Sequence, residues 1–522
     1  MKKNLFWILL SVLFCACSEQ NVGGEYFLRG QEVKFDSTNE NLWPFLMVGD
    51  AMFGSTNDGS LQIGVGKLTK NEWQKAEKIS YTELEHGSFA EGNKGELFVL
   101  TQANLESMAV EDKLGSLIKI PNADNIANIK DQTKWEKHDL KQVQGIMPLS
   151  FPYAILSDTT ILVAGQVTGD IKHMFSVIDF KNQKFSPLDY WPEDTTQTDM
   201  ETFVRYVPNC GLYGNGKGKV LYKNRLAKIA FIFTIDGTKT NIVSNLNSIK
   251  YKKGDPVREC WSCCVNDDRI YMLIRNSNIK GGKELNEFAE LYGNTIEVYD
   301  WDGVKQQVIH LDNYYQEIML SADNKTLYLL HGRSADIIKP AIYSYDISNL
   351  EDNPMIDSVE ITKICKANAE KTLEKYGKKG VLKEGDMMAD FEMFDYNDKP
   401  HHLNEFLGKS KYTILVFSDL HCGWCKKAKP YLEKLYKENK DKFEMITVSN
   451  DRLSEWKKKP GGVVSWHEWN DHKFAVDIRS KYDVLGNPTF FVINPEGKIV
   501  KKYVGFAEQF FDEMKDIVSG KK

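Results

Sequence analysis

The sequence predicts a multidomain chain: an N-terminal all-β propeller of six blades followed by a C-terminal α/β domain. Three observations carry this expectation. From about Glu25 to Leu350, short apolar strands alternate with Gly, Asn and Asp turns, and nothing reads as a long helix. Six of those strands follow polar turns: SLQIGV near Leu61, ELFVL near Leu97, TILVA near Ile161, KVLYK near Val220, RIYML near Ile270 and TLYLL near Leu327. Their spacings are 36, 64, 59, 50 and 57 residues, averaging about 53, a period that suits four-stranded blades. After Gly385 the apolar runs YTILVF, FEMITVS and TFFVIN are separated by helix-compatible segments, the βαβ-like pattern of a mixed domain. A pair of β-sandwiches is the alternative for the first part.

The chain opens with MKKNLFWILLSVLFCACSEQ. Lys2 and Lys3 form a positive n-region, and Leu5 to Phe14 form an apolar run too short to span a bilayer. FCAC, Phe14 to Cys17, resembles a bacterial lipobox, although Phe14 stands where Leu is usual. The resemblance implies a leader over residues 1–17 and lipidation of Cys17, with a simple secreted protein as the other reading. The expected location is the bacterial cell envelope, lipid-anchored on the periplasmic face or outer surface, with membrane contact through the acyl chains.

Of 522 residues, 67 are Lys or Arg and 73 are Asp or Glu, net −6, which gives no electrostatic case for nucleic acid. The residues from Gly385 onward hold 23 basic and 22 acidic residues, so the acidic excess lies in the front part. Nine cysteines are present; setting aside Cys15 and Cys17 leaves seven, too sparse for a disulfide scaffold.

Within the repeats, LSADNKTLYLL followed by AIYSYDI resembles the blade grammar of TolB-like six-bladed propellers, over residues 25–355. Residues 356–384, which include ITKICKANAEKTLEKYGKKGVLK, read as a partly helical linker. Residues 385–522 form the last expected domain.

That domain holds SDLHCGWCKKAKPYLEKLY, in which Cys422 sits where a strand hands over to a helix. A thiol there feels the positive end of the helix dipole, which favours thiolate. Disulfide exchange needs one exposed thiolate and a second thiol to resolve the mixed disulfide. Three-residue spacing on a first helical turn makes Cys422 the nucleophile and Cys425 the resolver. A structural disulfide or half a zinc site is the competing reading, but the tail has no other cysteine and no metal site is expected.

Three motifs in order then resemble the TlpA/ResA-like thiol-disulfide oxidoreductases of the thioredoxin superfamily. They are GDMMADFEMFDYNDKPHHLNEFLGK, VFSDLHCGWCKKAKP and YDVLGNPTFFVINPEGKIV. The resemblance implies a cis-proline at Pro488 that turns the backbone of Asn487 toward the sulfurs, a substrate-binding edge shared with Trp424, no cofactor, protein thiol or disulfide substrates, and a membrane-bound electron donor. The 63-residue step from Cys425 to Pro488 leaves room for the insertion such members carry. There are departures. His421 replaces the usual Trp, Gly423-Trp424 lies inside the pair, and Ala428 occupies the place of a family Glu. Asp419 is a substitute acid or a solvated turn residue, and Lys426 and Lys427 belong to a solvated face.

Other candidates read as structural. CWSCC, Cys260 to Cys264, reads as small buried residues at alternating strand positions, with an internal redox pair as the alternative. HEWNDH, His467 to His472, reads as a polar surface loop, His401-His402 as an exposed hairpin, and YGNGKGK, Tyr213 to Lys219, as a hairpin turn. The expected function is an envelope-anchored thiol-disulfide oxidoreductase acting through Cys422 and Cys425, with the propeller positioning the client. The alternative is a protein- or glycan-binding propeller with an accessory redox domain. The sequence leaves the redox direction open.

Overall fold

The computed structural model describes residues 23–521 apart from 37–41, 56–62, 80–83, 85–86, 93, 103–113, 141–152, 166–171, 193–197, 208–209, 226, 248–256, 278–291, 332–338, 377–381, 408–410, 421, 450, 452–455, 459–463, 471–477, 483 and 485. The expected leader, Cys17, His421 and His472 therefore lie outside the described residues. Two compact units divide the chain, the first made of most residues up to Glu374 and the second of those from Lys375 onward with two short earlier segments.

The first unit is a ring of six sheets, antiparallel apart from one added strand, with a small parallel pair, Lys34–Phe35 and Glu72–Trp73, beside them. Their innermost strands are Trp43–Val48, Ser88–Glu91, Tyr153–Ile155, Cys210–Gly214, Val257–Val265 and Glu317–Leu320, and each touches the next around a closed circle. Five of the six apolar runs read from sequence fall on the second strand of a blade. SLQIGV instead supplies the third strand of the first blade, Ile63–Lys67, which accounts for the short first spacing. Among the described residues, one apolar cluster fills the gap between each pair of neighbouring blades. The pleat makes this possible. Leu97 and Val99 face the first blade while Phe98 and Leu100 face the third, so strands buried on both faces read as continuous apolar runs.

The start of the chain closes the ring. Gln31–Glu32 adds an antiparallel fourth strand to the last blade, beside Ala341–Asp346, and Glu25–Leu28 adds a parallel fifth strand to the blade before it. Helix Ser358–Tyr376, from the segment read as a linker, packs on this unit. Asp357 caps its start by accepting the amides of Val359 and Glu360 at 2.9 and 3.3 Å. Ile361, Cys365, Ala369 and Thr372, at helical spacing, form its buried stripe, with Phe27 against the first two.

Asp312 ties these parts together. One carboxylate oxygen accepts the Gly30 amide at 3.1 Å and the Tyr345 hydroxyl, and Asn368 of the helix donates to the Asp312 carbonyl at 2.9 Å. Burial raises the Asp312 carboxyl above the ordinary range, and its hydrogen bonds oppose that shift.

The second unit is a seven-stranded mixed sheet in the order Pro400–His402, Glu392–Phe394, His467–Asn470, Phe443–Ser449, Tyr412–Ser418, Thr489–Ile493, Ile499–Val504. The central strand Tyr412–Ser418 runs parallel to Phe443–Ser449 and antiparallel to Thr489–Ile493. Ile414 and Val416 face helices Gly423–Asn439 and Glu508–Val518, and Leu415 and Phe417 face the opposite core with Trp469 and Tyr482.

The expected surface loop at HEWNDH is corrected here. His467–Asn470 is a strand inside the sheet, with Trp469 and Asn470 buried, because the Trp side chain fills the core beneath Phe391 and Phe406. Tyr213–Lys219 is a hairpin turn, as read from the sequence. His401 lies on an edge strand, bonded to Asp395 at 3.1 Å.

Replacing Asp312 with Ala strands the Gly30 amide and leaves the Tyr345 hydroxyl only the Tyr315 hydroxyl as partner. It should cost about 1–3 kcal/mol in urea unfolding of the propeller, with Asp312→Asn costing less because it keeps a carbonyl acceptor.

Candidate active site

Three strand ends converge at one edge of the α/β sheet. Tyr412–Ser418 ends in register with Phe443–Ser449, so Ser418 lies opposite Ser449. Beyond that edge the chain turns through Asp419 and Leu420 into helix Gly423–Asn439. Two carboxylates hold the turn. Asp451 accepts the Leu420 amide on both oxygens, at 3.1 and 3.0 Å, and also the Ser449 hydroxyl. Asp419 accepts the Cys422 amide at 3.1 Å.

Cys422 is the N-cap of the helix, and its sulfur accepts the Cys425 amide at 3.2 Å. Negative charge on that sulfur faces the positive end of the helix. The same sulfur lies 3.4 Å from the carbonyl oxygen of Asn487, and the Asn487–Pro488 peptide bond is cis. Arg479 donates to the Asn487 side chain at 2.6 Å, with its guanidinium 5.6 Å from the Phe417 ring centroid.

The two thiols differ in access. Cys422 is half-buried, whereas Cys425 is 7% exposed on the inner face of the helix. Burial, reinforced by the hydrogen bond to Cys422, pushes the Cys425 thiol up to about 12, against an opposing hydrogen bond to Ser418. Beside the pair, Trp424 is 54% exposed, its ring 6.2 Å from Phe506 and stacked, with the Lys427 ammonium 4.4 Å from its centroid. Among the described residues no cluster of His, Cys, Asp and Glu could hold a metal ion.

Residues 385–502 match the AhpC/TSA family model. The chain is 32% identical over 130 residues to the thiol-disulfide oxidoreductase ResA of Bacillus subtilis, covering 24% of this chain and 69% of that protein. The chain belongs to the ResA-like branch of that family. It is also 28% identical over 136 residues to the thioredoxin-like protein YneN of Bacillus subtilis, covering 25% of this chain and 77% of that protein. A solved thioredoxin domain of a Bacteroides vulgatus thiol-disulfide oxidoreductase is 28% identical, covering 26% of this chain and 99% of that one, with a TM-score of 0.23. The C-terminal domain is thus a thioredoxin-like thiol-disulfide oxidoreductase domain attached to a six-bladed propeller.

The ResA-like domain brings Cys422, Cys425, Asn487 and Pro488 to one edge and sets Trp424 on the adjoining surface. Ala428, where a family Glu was expected, is buried in the apolar core beneath the helix. Sequence reading missed Asp451, Arg479 and Ser418. Arg479 and Asp451 are remote in sequence from the cysteines, and the parallel pairing that aligns Asp451 with Leu420 appears in no local motif. Ser418 was legible as the first residue after the apolar run YTILVF, but its place in the strand and its contact with Cys425 were not.

Iodoacetamide at pH 8 should therefore alkylate Cys422 in the reduced protein roughly a hundredfold or more faster than Cys425, as read by peptide mass mapping. Cys425 alkylation should rise with pH well past 9, since its thiol ionises only far above the ordinary range. Equal rates at pH 8 would contradict the geometry.

Proposed function

We propose that this protein exchanges disulfides with protein clients in the bacterial envelope, anchored by lipid at Cys17, with the propeller positioning the client. Cys422 attacks the client disulfide, forming a Cys422–client bond and releasing one client thiolate. Cys425 then gives up its proton and displaces the second client sulfur, leaving a Cys422–Cys425 disulfide and a reduced client. A membrane-bound dithiol donor returns the pair to its starting state. Asn487 and Pro488 present backbone to the client chain, and Trp424 offers an aromatic surface beside the attacking sulfur.

One observation carries this reading. A half-exposed sulfur at a helix N-terminus is paired with a buried thiol that stays protonated until a mixed disulfide calls on it. The Cys425 thiol, pushed up to about 12, stays protonated near neutral pH, so an outside disulfide is attacked by the Cys422 sulfur first. Its hydrogen bond to Cys422 keeps it within reach for the second step.

In an insulin-reduction assay with a dithiol donor, Cys422→Ser should fall to the uncatalysed rate. Cys425→Ser should accumulate mixed disulfides in cells, identifiable by mass spectrometry, and a variant that captures nothing while wild type is active in vitro would remove the client step. Separately, Cys17→Ser should shift the chain from the membrane pellet to the supernatant, because the acyl chains are its only proposed anchor.

A further inference from the structure

The propeller holds a second pair of cysteines at C-x-x-C spacing, and its geometry departs from the alternating pattern expected of a strand. In a regular strand, residues three apart face opposite sides. Here Cys260 pairs with Ile274 and Cys263 with Met272, while Ser262 pairs with Leu273, so Trp261 is an extra residue in a β-bulge. Ile274 and Met272 share a face, and the bulge therefore puts Cys260 and Cys263 on one face as well. Both belong to the cluster between the fourth and fifth blades, where each thiol shifts the ionisation of the other and the Cys260 thiol also donates to the Ser262 carbonyl at 3.5 Å. The bulge has its own supports: Arg225 lies 3.6 Å over the Trp261 ring, and the Lys223 ammonium donates to the Trp261 carbonyl at 2.8 Å.

Cys263, 4% exposed, and Tyr213 line a central cavity of about 640 Å³, a size suited to a small molecule, and Cys260, 5% exposed, is not part of its lining. We propose that Cys260 and Cys263 form a second dithiol–disulfide couple that exchanges with a small, positively charged disulfide entering this cavity.

Burial alone would raise the Cys263 thiol. Hydrogen bonding from Cys260, the Lys223 charge and the Tyr213 hydroxyl bring it below the ordinary range instead, while Cys260 is pushed up by its bond to Cys263 and by burial. The roles follow from position. The Cys263 thiolate attacks the substrate disulfide R–S–S–R, forming Cys263–S–S–R and expelling RS⁻. That thiolate takes the Cys260 proton and leaves as RSH. The Cys260 sulfur then displaces the second RS⁻, which leaves as a thiol after protonation from solvent. In sum, two cysteine thiols and one R–S–S–R become the Cys260–Cys263 disulfide and two RSH, and an external dithiol reverses the process.

The charge class of the substrate comes from the wall. Its charged side chains among the described residues are Glu91, Asp267 and Glu317, with no Lys, Arg or His. Ser262 donates to Glu317 at 2.6 Å. Glu91 reaches the cavity solvent, but protein encloses it, and that desolvation pushes its carboxyl up to about 7, against a bond from the Gly49 amide. Such a wall attracts cations and repels anionic disulfides. Cys210 and Cys264 line the same cavity, but burial pushes both thiols up, Cys210 to about 12, which makes them internal controls.

The test uses the full chain carrying Cys422→Ser and Cys425→Ser, so that the C-terminal pair is silent. The reduced protein is exposed to cystamine or to oxidised glutathione, quenched, alkylated and mapped by mass spectrometry, with wild type mapped in parallel. The Cys260–Cys263 disulfide should form, and about tenfold faster with dicationic cystamine than with anionic oxidised glutathione at low salt. Adding Cys260→Ser should instead leave cysteamine attached to Cys263. If both cysteines remain thiols in excess cystamine, or react no faster than Cys210 and Cys264, the couple is overturned. Equal rates with the two disulfides would overturn the charge selection.

Discussion

The redox site depends on where one strand stops. Tyr412–Ser418 is buried on both faces, and its parallel neighbour Phe443–Ser449 ends level with it. That shared ending sets Asp451 under the turn, where its carboxylate collects the Leu420 amide. Every later position follows from the turn: the Cys422 amide on Asp419, the Cys422 sulfur at the helix start, and the Asn487 carbonyl brought alongside by the antiparallel strand that opens at Thr489. The carboxyl ends of sheet strands are where such sheets assemble sites, since loops there are free to carry chemistry while the strands fix their roots. A shift of one residue in the pairing of Tyr412–Ser418 would exchange its two core faces and aim the helix elsewhere.

The propeller solves a different problem. Each blade buries its faces against two neighbours, so a ring with a missing contact would leave two apolar faces open to water. Strand Gln31–Glu32 completes the last blade, and Asp312 joins that segment to the last blade and to helix Ser358–Tyr376 through Gly30, Tyr345 and Asn368. Parts separated by more than 280 residues in sequence thus meet at one buried carboxylate. Its raised ionisation range marks the electrostatic cost of burial, which the surrounding donors offset in part.

Legibility in the sequence followed the range of the interaction. The strand runs were readable because a period of two with both faces apolar leaves an unmistakable run, as in TILVA and TFFVIN. The helix start at Gly423 was readable from the change of grammar after Phe417. The cysteine pair and Pro488 were readable because each is a local motif. HEWNDH was misread because two histidines and two acids mask a strand whose burial rests on Trp469 and Asn470. Asp451, Arg479 and Ser418 stayed hidden because their partners lie across the sheet or in a neighbouring segment, and only the pairing register brings them to the cysteines.

The two C-x-x-C segments show what such spacing does and does not specify. Spacing fixes the length of chain between two sulfurs, and the backbone then decides whether they meet. At Cys422 and Cys425 one helical turn does this, and it adds a dipole and an amide aimed at the first sulfur. At Cys260 and Cys263 a strand should have separated them, and one inserted residue, Trp261, restores a common face. The charge that favours thiolate then comes from Lys223 and the hydroxyl from Tyr213, since a strand has no macrodipole to supply either. The bulge is therefore the decisive element of the second pair. In a strand without the bulge, the same five letters, CWSCC, would place Cys260 and Cys263 on opposite sides of the sheet.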